Sequence, residues 1–379
     1  MKQKKTLRIA FITNNYYPYR GGVTQAISAT VQELRNQGHD ARIITLDFLG
    51  SPKEDAPYVY RVPSTFRYKR GPNPIAIPWR KTYYLGTYLE SFAPDIIHLN
   101  HPFLLGKTGQ KIARRTATPT VFTYHTLYGA YAHYMPLPTC ITRQLVNKIV
   151  PRFCSSVDRV IAPSSTIQKL LYAQQIQTPC HVIPSPVRAA FFSDVTIPSS
   201  HNKPLRLLYV GRFVKEKNIP FIPRALAATK KEFICNFVGY GTEYETLANQ
   251  IRTTLENDRE INFIHNPPQE TLIQLYQEAD LFLFPSTTDT QAIVLAEAMA
   301  TGTPVITVPG PGQTDIVRHG YNGFFAETPD DMAKHIEQLD ANRPLLTTLA
   351  QHAIDTAQRY HPATTVGRLL ELYGELLGS

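Results

Sequence analysis

The chain has 379 residues, of which 43% are hydrophobic and 18% charged, so it supplies ample apolar side chains for packed cores. This composition excludes a disordered chain and a small disulfide scaffold, and the length suits two domains. Charge is divided unevenly, because residues 1–200 contain 24 basic and 9 acidic residues whereas residues 201–379 contain 15 and 21. Two halves of opposite charge predict two domains with different partners.

Cysteine spacing and the N-terminal segment indicate the compartment. The four cysteines, at positions 140, 154, 180 and 235, have neither CxxC nor paired metal-ligand spacing, so neither a zinc site nor a disulfide framework is predicted. The first apolar stretch is interrupted by Arg8 and ends at Thr13, which is too short for a signal peptide. No apolar run approaches the ~20 residues of a spanning helix. We therefore expect a cytoplasmic protein whose membrane contact is peripheral.

Short apolar runs alternate with helical patterns in the first half of the chain. Strands are predicted at 8–13, 41–46, 96–100, 120–125 and 159–163, with a helix at 23–36. This alternation is typical of a parallel sheet with crossover helices. Residues 191–204 contain two prolines and no periodicity, and they are predicted to be a linker.

The same pattern restarts after the predicted linker. Strands are predicted at 206–211, 233–239, 261–265, 281–285 and 304–308. The fold class is therefore α/β, with two tandem Rossmann-like doubly wound domains at 1–190 and 205–360 and an active site expected in the cleft between them. A last helical segment, 361–379, is expected to pack on the domain surface, and a return to the first domain is an open alternative.

A basic zone lies in the first half. The interval between Asp95 and Asp158 contains no acidic residue. It contains these cations: Lys107, Lys111, Arg114, Arg115, Arg143, Lys148 and Arg152. Such a zone predicts attraction to a polyanion, either an anionic membrane surface or nucleic acid, and the alternative is a face kept for solubility.

Two segments of the first half have the composition of a membrane interface. Residues 139–156 form a broad apolar helical face with cations at its edges, which can lie in a lipid interface or, with equal weight, form a core helix kinked at Pro151. Residues 66–88 combine basic and aromatic side chains, including Trp79. Prolines at positions 72, 74 and 78 predict a loop in the first half of that second segment.

One constellation of polar residues follows the predicted strand at 281–285. A helix begins near Gln291, so free backbone N–H groups at its start can bind a phosphate. Glu297 lies about two turns into that helix and can accept hydrogen bonds from ribose hydroxyls. The loop alone would be explained equally well by Asp289 as a helix cap and Glu297 as a solvated residue.

A second constellation follows the strand at 206–211. Gly211 allows a tight exit from the strand, and Arg212 with Lys217 can both reach one diphosphate. Such a pair stabilises a leaving UDP without a metal. Lys215 competes with Lys217 for this role, and spacing does not decide between them. No DxD motif stands at a strand end, so no metal site is predicted.

Three motifs of the second half together resemble retaining glycosyltransferases of family 4, which have the GT-B fold. They are Gly-Arg-x4-Lys at 211–217, an acidic residue with Glu eight positions later at 289–297, and Glu-Ala-Met-Ala-x-Gly-x-Pro-Val at 297–305. The resemblance covers nearly the whole chain, because Gly21 and Gly22 match the N-terminal glycine loop of the family. Two positions depart from the family pattern: Asp289 stands for a glutamate, and Ala292 stands for a glycine.

The resemblance implies transfer of a sugar from a nucleotide diphosphate, with retention of the anomeric configuration and with no metal or other cofactor. It assigns the diphosphate to Arg212 and Lys217 and the ribose to Glu297. The remaining donor contacts that it implies are Gly21, Gly22, Gly211, Asp289, Gln291, Ala292 and Ile293.

The segment that leaves the strand at 120–125 is similar to the corresponding stretch of bacterial diacylglycerol glucosyltransferases. His125 can hydrogen-bond a hydroxyl of the donor sugar or of the acceptor, although a lone histidine is more often structural. The aromatic and histidine residues that follow it are Tyr128, Tyr131, His133 and Tyr134. The match is imperfect, because a glutamate common in those enzymes is Gly129 here.

The leading hypothesis is a peripheral membrane enzyme that moves a hexose, with UDP-glucose as the expected donor, to a diacylglycerol-type lipid at the inner face of the membrane. The cations assigned to the acceptor and membrane side are Arg114, Arg115, Arg143, Lys148 and Arg152. The same chemistry on a soluble or polysaccharide-precursor acceptor is the alternative. A non-catalytic lipid- or nucleic-acid-binding protein is disfavoured, since no nucleic-acid motif accompanies the basic residues.

Overall fold

The computed structural model describes residues 6–19, 21–52, 55–70, 73–129, 138–195, 197, 203–255 and 260–378. The chain forms two compact units. Unit 1 comprises Met1–Pro186 and Pro362–Ser379, and unit 2 comprises Val187–His361.

Unit 1 is built on a parallel sheet. Its strands are β1 (Arg8–Ile12), β2 (Asp40–Leu46), β3 (Val59–Val62), β6 (Ile96–Leu99), β7 (Thr120–Thr123), β8 (Arg159–Ala162) and β9 (Cys180–Val182). A separate antiparallel pair consists of β4 (Phe66–Arg70) and β5 (Asn73–Ile77). The helices are α1 (Gly22–Asn36), α2 (Lys81–Phe92), α3 (Leu105–Thr116), α4 (Thr139–Cys154), α5 (Ser165–Ala173) and α13 (Pro362–Leu377). Within the described ranges the strand order is β3-β2-β1-β6-β7-β8-β9.

Helices cover both faces of the unit 1 sheet. Successive side chains of a strand point to opposite faces. Ala10 and Ile12 of β1 therefore join one core with apolar residues of α2, α3, α4 and α5. Ile9 and Phe11 join a second core with residues of α1 and α13. Because both faces are buried, most residues of these strands are apolar, which is the pattern that predicts a parallel sheet.

Helix α13 belongs to unit 1 although it follows unit 2 in the chain. Val366, Leu369 and Tyr373 are buried in the core that contains α1. The Tyr373 hydroxyl lies 2.6 Å from Nδ1 of His98, a buried residue of β6. The C-terminal helix thus completes the core of unit 1.

The prediction of a loop in the first part of residues 66–88 is wrong. Residues 66–70 and 73–77 form the antiparallel strands β4 and β5, in which Lys69 pairs with Pro74. Each strand of a two-stranded ribbon has one unpaired edge, where a missing N–H costs no ladder hydrogen bond, so proline is tolerated there. Pro72 lies outside the described residues.

Unit 2 is built on a second parallel sheet. Its strands are β10 (Leu205–Arg212), β11 (Phe233–Tyr240), β12 (Glu260–His265), β13 (Leu281–Phe284), β14 (Val305–Thr307) and β15 (Gly323–Phe325). Its helices are α6 (Phe221–Ala228), α7 (Tyr244–Thr254), α8 (Gln269–Glu278), α9 (Ile293–Ala300), α10 (Gln313–Ile316), α11 (Pro329–Ala341) and α12 (Arg343–Ala357). The strand order over the described part is β12-β11-β10-β13-β14-β15.

The predicted linker at 191–204 does not begin where the sequence suggests. Phe191 is fully buried in the core of unit 2, and its ring packs 5.5 Å from that of Tyr276. The prediction of a linker is therefore wrong at this end, because the prolines and serines farther along dominate the local composition. Residues 196 and 198–202 lie outside the described residues.

No helix that the structure describes combines the length and the apolar composition needed to cross a membrane.

Candidate functional site

The two polar constellations of unit 2 follow neighbouring strands. Strands β10 and β13 pair directly, and the strand order reverses between them. Ligands of open α/β sheets bind at such a switch point, outside the carboxyl ends of the strands. The segment after Arg212 and the loop after Phe284 therefore meet at the expected place for a ligand.

A buried ion pair joins these two segments. Nζ of Lys217 donates to Oδ1 of Asp289 over 2.6 Å, and the Ser286 hydroxyl donates to the second carboxylate oxygen. Burial raises the pKa of Asp289, but the Lys217 charge and the two hydrogen bonds outweigh burial and bring the pKa below its ordinary value. The carboxylate is ionised at physiological pH and holds the lysine in position.

The structure distinguishes the two lysines that spacing left undecided. Lys217 is only 8% exposed and contacts Asp289, whereas Lys215 is exposed. An ammonium group has three donors. Since one of them serves Asp289, two further donors of Lys217 can serve a ligand anion.

Glu297 is a buried carboxyl group in α9. The Tyr276 hydroxyl donates to its Oε2 over 3.2 Å. Burial raises the pKa of Glu297 to about 7, although the positive charge of Arg188 and the Tyr276 hydrogen bond act in the opposite direction. A carboxyl group with this pKa changes its charge in the physiological range, so its ability to accept hydrogen bonds depends on pH.

The first turn of α9 begins with an unusual backbone conformation. Gln291 is buried, Ala292 adopts the left-handed region with φ +52° and ψ +51°, and Ile293 starts the helix. No side chain caps this helix among the described residues, so its first N–H groups face the loop. The family glycine at position 292 is explained physically, because glycine adopts this conformation without strain while alanine does not.

Replacing Ala292 with glycine is expected to leave the stability of the protein nearly unchanged, within about 0.5 kcal/mol. The released backbone strain offsets the lost methyl burial and the greater chain entropy of glycine. The matched control is Ala296→Gly in the middle of the same helix, which is expected to destabilise by about 2 kcal/mol. Denaturant midpoints measure both changes, and equal losses in the two variants would contradict the assignment of strain.

Glycines permit close backbone approach at the same edge of the unit 2 sheet. A Cβ at Gly239 would lie 1.8 Å from the carbonyl oxygen of Gly211, and a Cβ at Gly211 would lie 2.6 Å from the Tyr209 hydroxyl. In unit 1, Gly21 precedes the first turn of α1, and a Cβ at Gly22 would have no described heavy atom within 4 Å apart from its chain neighbours and the adjacent backbone of its own helix. The position of Gly22 therefore leaves room for a ligand.

His125 lies two residues beyond β7 and is half-buried. Its Nε2 lies 2.9 Å from Oδ1 of Asn100, while Nδ2 of Asn100 lies 3.4 Å from the carbonyl oxygens of Ile12 and His98. Because the amide oxygen only accepts, the imidazole donates from Nε2. Burial, together with neighbouring His101 and His98, lowers the pKa of His125 to about 3, so the ring is neutral at physiological pH.

The structure describes only some of the remaining residues predicted for the acceptor side. Tyr128 is half-buried, its ring packs edge-on against Phe103 and Tyr124, and its hydroxyl has no hydrogen-bond partner within the described chain. Predicted positions 131, 133 and 134 lie outside the described residues. The predicted cations Arg114, Arg115, Arg143, Lys148 and Arg152 are all exposed.

Comparison with known proteins places this geometry in a family. The family model described as "Glycosyltransferase Family 4" matches residues 20–191. The family model described as "Glycosyl transferases group 1" matches residues 195–356. The alpha-monoglucosyldiacylglycerol synthase of Streptococcus pneumoniae is 31% identical to this chain, with 86% of this chain and 77% of that protein covered. The chain belongs to glycosyltransferase family 4.

Other members and solved structures extend this result. A GDP-mannose-dependent alpha-mannosyltransferase of Mycobacterium tuberculosis is 28% identical, with 82% of this chain and 81% of that protein covered. The structure of sucrose-phosphate synthase from Thermosynechococcus elongatus superposes with a TM-score of 0.80 at 20% identity, covering 98% of this chain and 99% of that one. The predicted retaining family and the predicted GT-B fold are confirmed.

Three residues that sequence reasoning missed position predicted site residues within each unit. In unit 1 Asn100 contacts His125, and in unit 2 Ser286 binds Asp289 and Tyr276 binds Glu297. A signal for Asn100 was present, because it is the last residue of a predicted strand, at the edge where ligands bind. Tyr276 gave no signal, since it lies 21 residues before its partner on another helix.

Proposed function

We propose that this family 4 glycosyltransferase transfers glucose from UDP-glucose to the free hydroxyl of a diacylglycerol-type lipid, with retention at the anomeric carbon. The enzyme binds peripherally to the inner, anionic face of a membrane. The choice of a lipid acceptor rests on the outward surface of α3 and α4. The name of the Streptococcus relative, an alpha-monoglucosyldiacylglycerol synthase, also supports it.

Helix α3 divides sharply into a buried and a charged side. The buried residues include Ile112 and Ala113. The exposed cations are Lys107, Lys111, Arg114 and Arg115. They recur at helical spacing, and α3 contains no acidic residue, so this side of the helix presents positive charge alone.

Helix α4 adds apolar side chains to that positive surface. Ile141 is 46% exposed and Leu145 is 44% exposed, one helical turn apart. Exposed Lys148 and Arg152 lie on the same side of the helix as these two residues, and Arg143 is exposed as well. Exposed aliphatic groups between cations suit the boundary of an anionic bilayer, where the former enter the acyl region and the latter meet lipid phosphates.

We call these nine residues of α3 and α4 the basic face. They are Lys107, Lys111, Arg114, Arg115, Ile141, Arg143, Leu145, Lys148 and Arg152. Both helices contribute to the same core of unit 1, as does α2. Trp79, just before α2, is 80% exposed, and Tyr83 within α2 is 64% exposed. These aromatic side chains would contact a membrane at the depth of the lipid headgroups.

In unit 2, Arg212 and Lys217 would hold the diphosphate and Glu297 the ribose. Asp289 fixes Lys217 and, with the backbone N–H groups at the start of α9, would face the donor sugar. As the bond from the anomeric carbon to the β-phosphate oxygen breaks, negative charge grows on UDP, and the two cations stabilise it.

Transfer of the sugar to the acceptor needs no carboxylate nucleophile from the protein. The lipid hydroxyl oxygen bonds to the anomeric carbon on the face that UDP leaves, and its proton passes to the departing phosphate oxygen. His125 would position a hydroxyl group as a neutral imidazole, because its low pKa excludes an imidazolium at physiological pH.

Nucleotide release with matched acceptors tests the proposal. Purified protein is given UDP-glucose or GDP-mannose, with vesicles of phosphatidylglycerol and diacylglycerol or with vesicles of phosphatidylglycerol alone. We expect UDP release that requires diacylglycerol. GDP release in place of UDP release would overturn the donor, and UDP release stimulated only by a soluble glycan would overturn the acceptor.

The affinity for UDP-glucose is expected to fall as pH falls below about 7, by up to about tenfold per pH unit. Protonated Glu297 loses the acceptor capacity that the ribose hydroxyls need, whereas the diphosphate of the donor does not titrate in this range. Calorimetric titrations between pH 5.5 and 8 measure the effect.

Glu297→Gln is the control for this pH dependence, because glutamine does not titrate. The variant is expected to bind UDP-glucose weakly and equally at every pH. The raised pKa of Glu297 also means that stability present below the unfolded pKa of 4.5 is lost as pH rises through about 7, so the variant should lose less stability on going from pH 5 to pH 8. A wild-type affinity that is flat with pH would contradict the ribose role.

A further inference from the structure

A cavity of about 170 Å³, partly open to solvent, lies in unit 1 beside the loop that carries His125. Its walls come from that loop, from α4 and from α5. Tyr124 and Leu127 form the loop side, Val146 and Val150 the α4 side, and Leu170 the α5 side. Because the cavity is partly open, a ligand that covers these apolar side chains would gain the free energy of their burial.

The chemistry of the walls selects an apolar occupant. The five wall residues are aliphatic or aromatic, and the polar residues at the cavity, Asn147 and Gln174, are exposed to solvent. An enclosed apolar cavity of about 150 Å³ binds a benzene-sized group. By volume, the space between these apolar side chains accommodates a short hydrocarbon segment of about six carbons, with polar groups of the lining left facing solvent.

Two neighbouring features indicate which molecule supplies this hydrocarbon segment. Tyr124 and Leu127 lie on either side of His125 in the chain, whereas His125 itself lines a different cavity together with Asn100. The acyl cavity and the residue to which the proposed function assigns a hydroxyl group therefore share one loop. Val146 and Val150 line the cavity from the helix whose outward side exposes Ile141 and Leu145. One helix thus bounds both the cavity and the apolar part of the basic face.

We propose that this cavity binds the glycerol-proximal segment of one acyl chain of the lipid acceptor. The inference rests on the proposed function, since it supplies the lipid. The acyl chain would enter beside α4 while the glycerol hydroxyl lies at His125. The cavity then selects acceptors with acyl chains of about six carbons or more over short-chain analogues.

Substitutions that fill the cavity test this selection. Val146→Trp places an indole in the cavity from a half-buried position, and Gln144→Trp adds the same bulk at an exposed position of the same helix that lies neither in the cavity nor in the basic face. With dioctanoylglycerol as acceptor, Val146→Trp is expected to raise KM about tenfold, because the displaced methylene groups lose their burial. With dibutyrylglycerol, its KM is expected to match the wild type, and Gln144→Trp should match the wild type with both acceptors.

A labelling experiment gives a readout that needs no turnover. Diacylglycerol with a photoreactive diazirine at the sixth acyl carbon is presented in phosphatidylglycerol vesicles, and crosslinked peptides are identified by mass spectrometry. Labels within 146–151 or at Leu170 support the acyl site. Labels confined to Ile141 and Leu145, or an unchanged acyl-length preference in Val146→Trp, overturn it. Labelling of the cavity without any sugar transfer would contradict the proposed function while leaving the acyl site standing.

Discussion

Lys217→Ala is expected to lower kcat for sugar transfer by a factor of about 10² to 10³. The substitution removes a cation that the structure holds in place through a 2.6 Å bond to Asp289, at the point where negative charge grows on the leaving UDP. The exposed neighbour Lys215 provides the matched control, and Lys215→Ala should keep the wild-type rate. Initial rates at saturating donor and acceptor measure both variants.

The same substitution is expected to destabilise unit 2, because it leaves the largely buried carboxylate of Asp289, 19% exposed, with the Ser286 hydrogen bond but without its ion-pair partner. Breaking a fully buried ion pair costs about 3–5 kcal/mol, so the cost for this partly exposed pair should lie below that range. The double variant Lys217→Ala, Asp289→Ala removes the orphaned charge and should recover most of the melting temperature without recovering transfer. A folded double variant with the turnover of the wild type would exclude Lys217 as a donor-binding residue.

Neutralising four cations of the basic face is expected to abolish binding to anionic vesicles. The variant replaces these residues with glutamine: Arg114, Arg115, Lys148 and Arg152. Each cation near an anionic surface contributes about 1 kcal/mol, so the partition coefficient should fall by several hundredfold. Vesicle flotation with increasing phosphatidylglycerol measures the loss, and UDP-glucose affinity should stay unchanged.

A variant of equal charge change in unit 2 controls for net charge alone. It replaces four exposed cations with glutamine: Arg224, Lys230, Lys334 and Arg359. Vesicle binding by this variant is expected to resemble that of the wild type. Equal losses in the two variants would show that binding follows net charge and not the surface of α3 and α4.

The sequence predicts the two parallel sheets because most of their central strands are apolar runs buried on both faces. The run Leu281–Phe284, for example, is wholly apolar and wholly buried. Short edge strands escape such prediction: Cys180–Val182 and Gly323–Phe325 have three residues each, which is too few for any periodicity. Their pairing comes from the neighbouring strand of the sheet and not from local pattern.

Local motifs predict which residues belong to the candidate site but not the contacts between them. Spacing identifies Lys217, Asp289 and Glu297 as chemically important, but the bond between Lys217 and Asp289 joins residues 72 positions apart and depends on the pairing of β10 with β13. The pKa of Glu297 likewise depends on burial and on Tyr276, neither of which its helix alone specifies. The departure from the family glycine at position 292 can be interpreted only from the left-handed backbone conformation of Ala292.

Transfer of labelled glucose into an organic phase tests the proposed transfer to a lipid. The assay combines purified protein, UDP-glucose carrying a radiolabel in the sugar, and diacylglycerol in phosphatidylglycerol vesicles, with mass spectrometry and proton NMR of the extracted product. We expect a monohexosyl diacylglycerol with the α configuration of the donor. Release of UDP with no label in the organic phase, or a β-linked product, would contradict the proposed transfer.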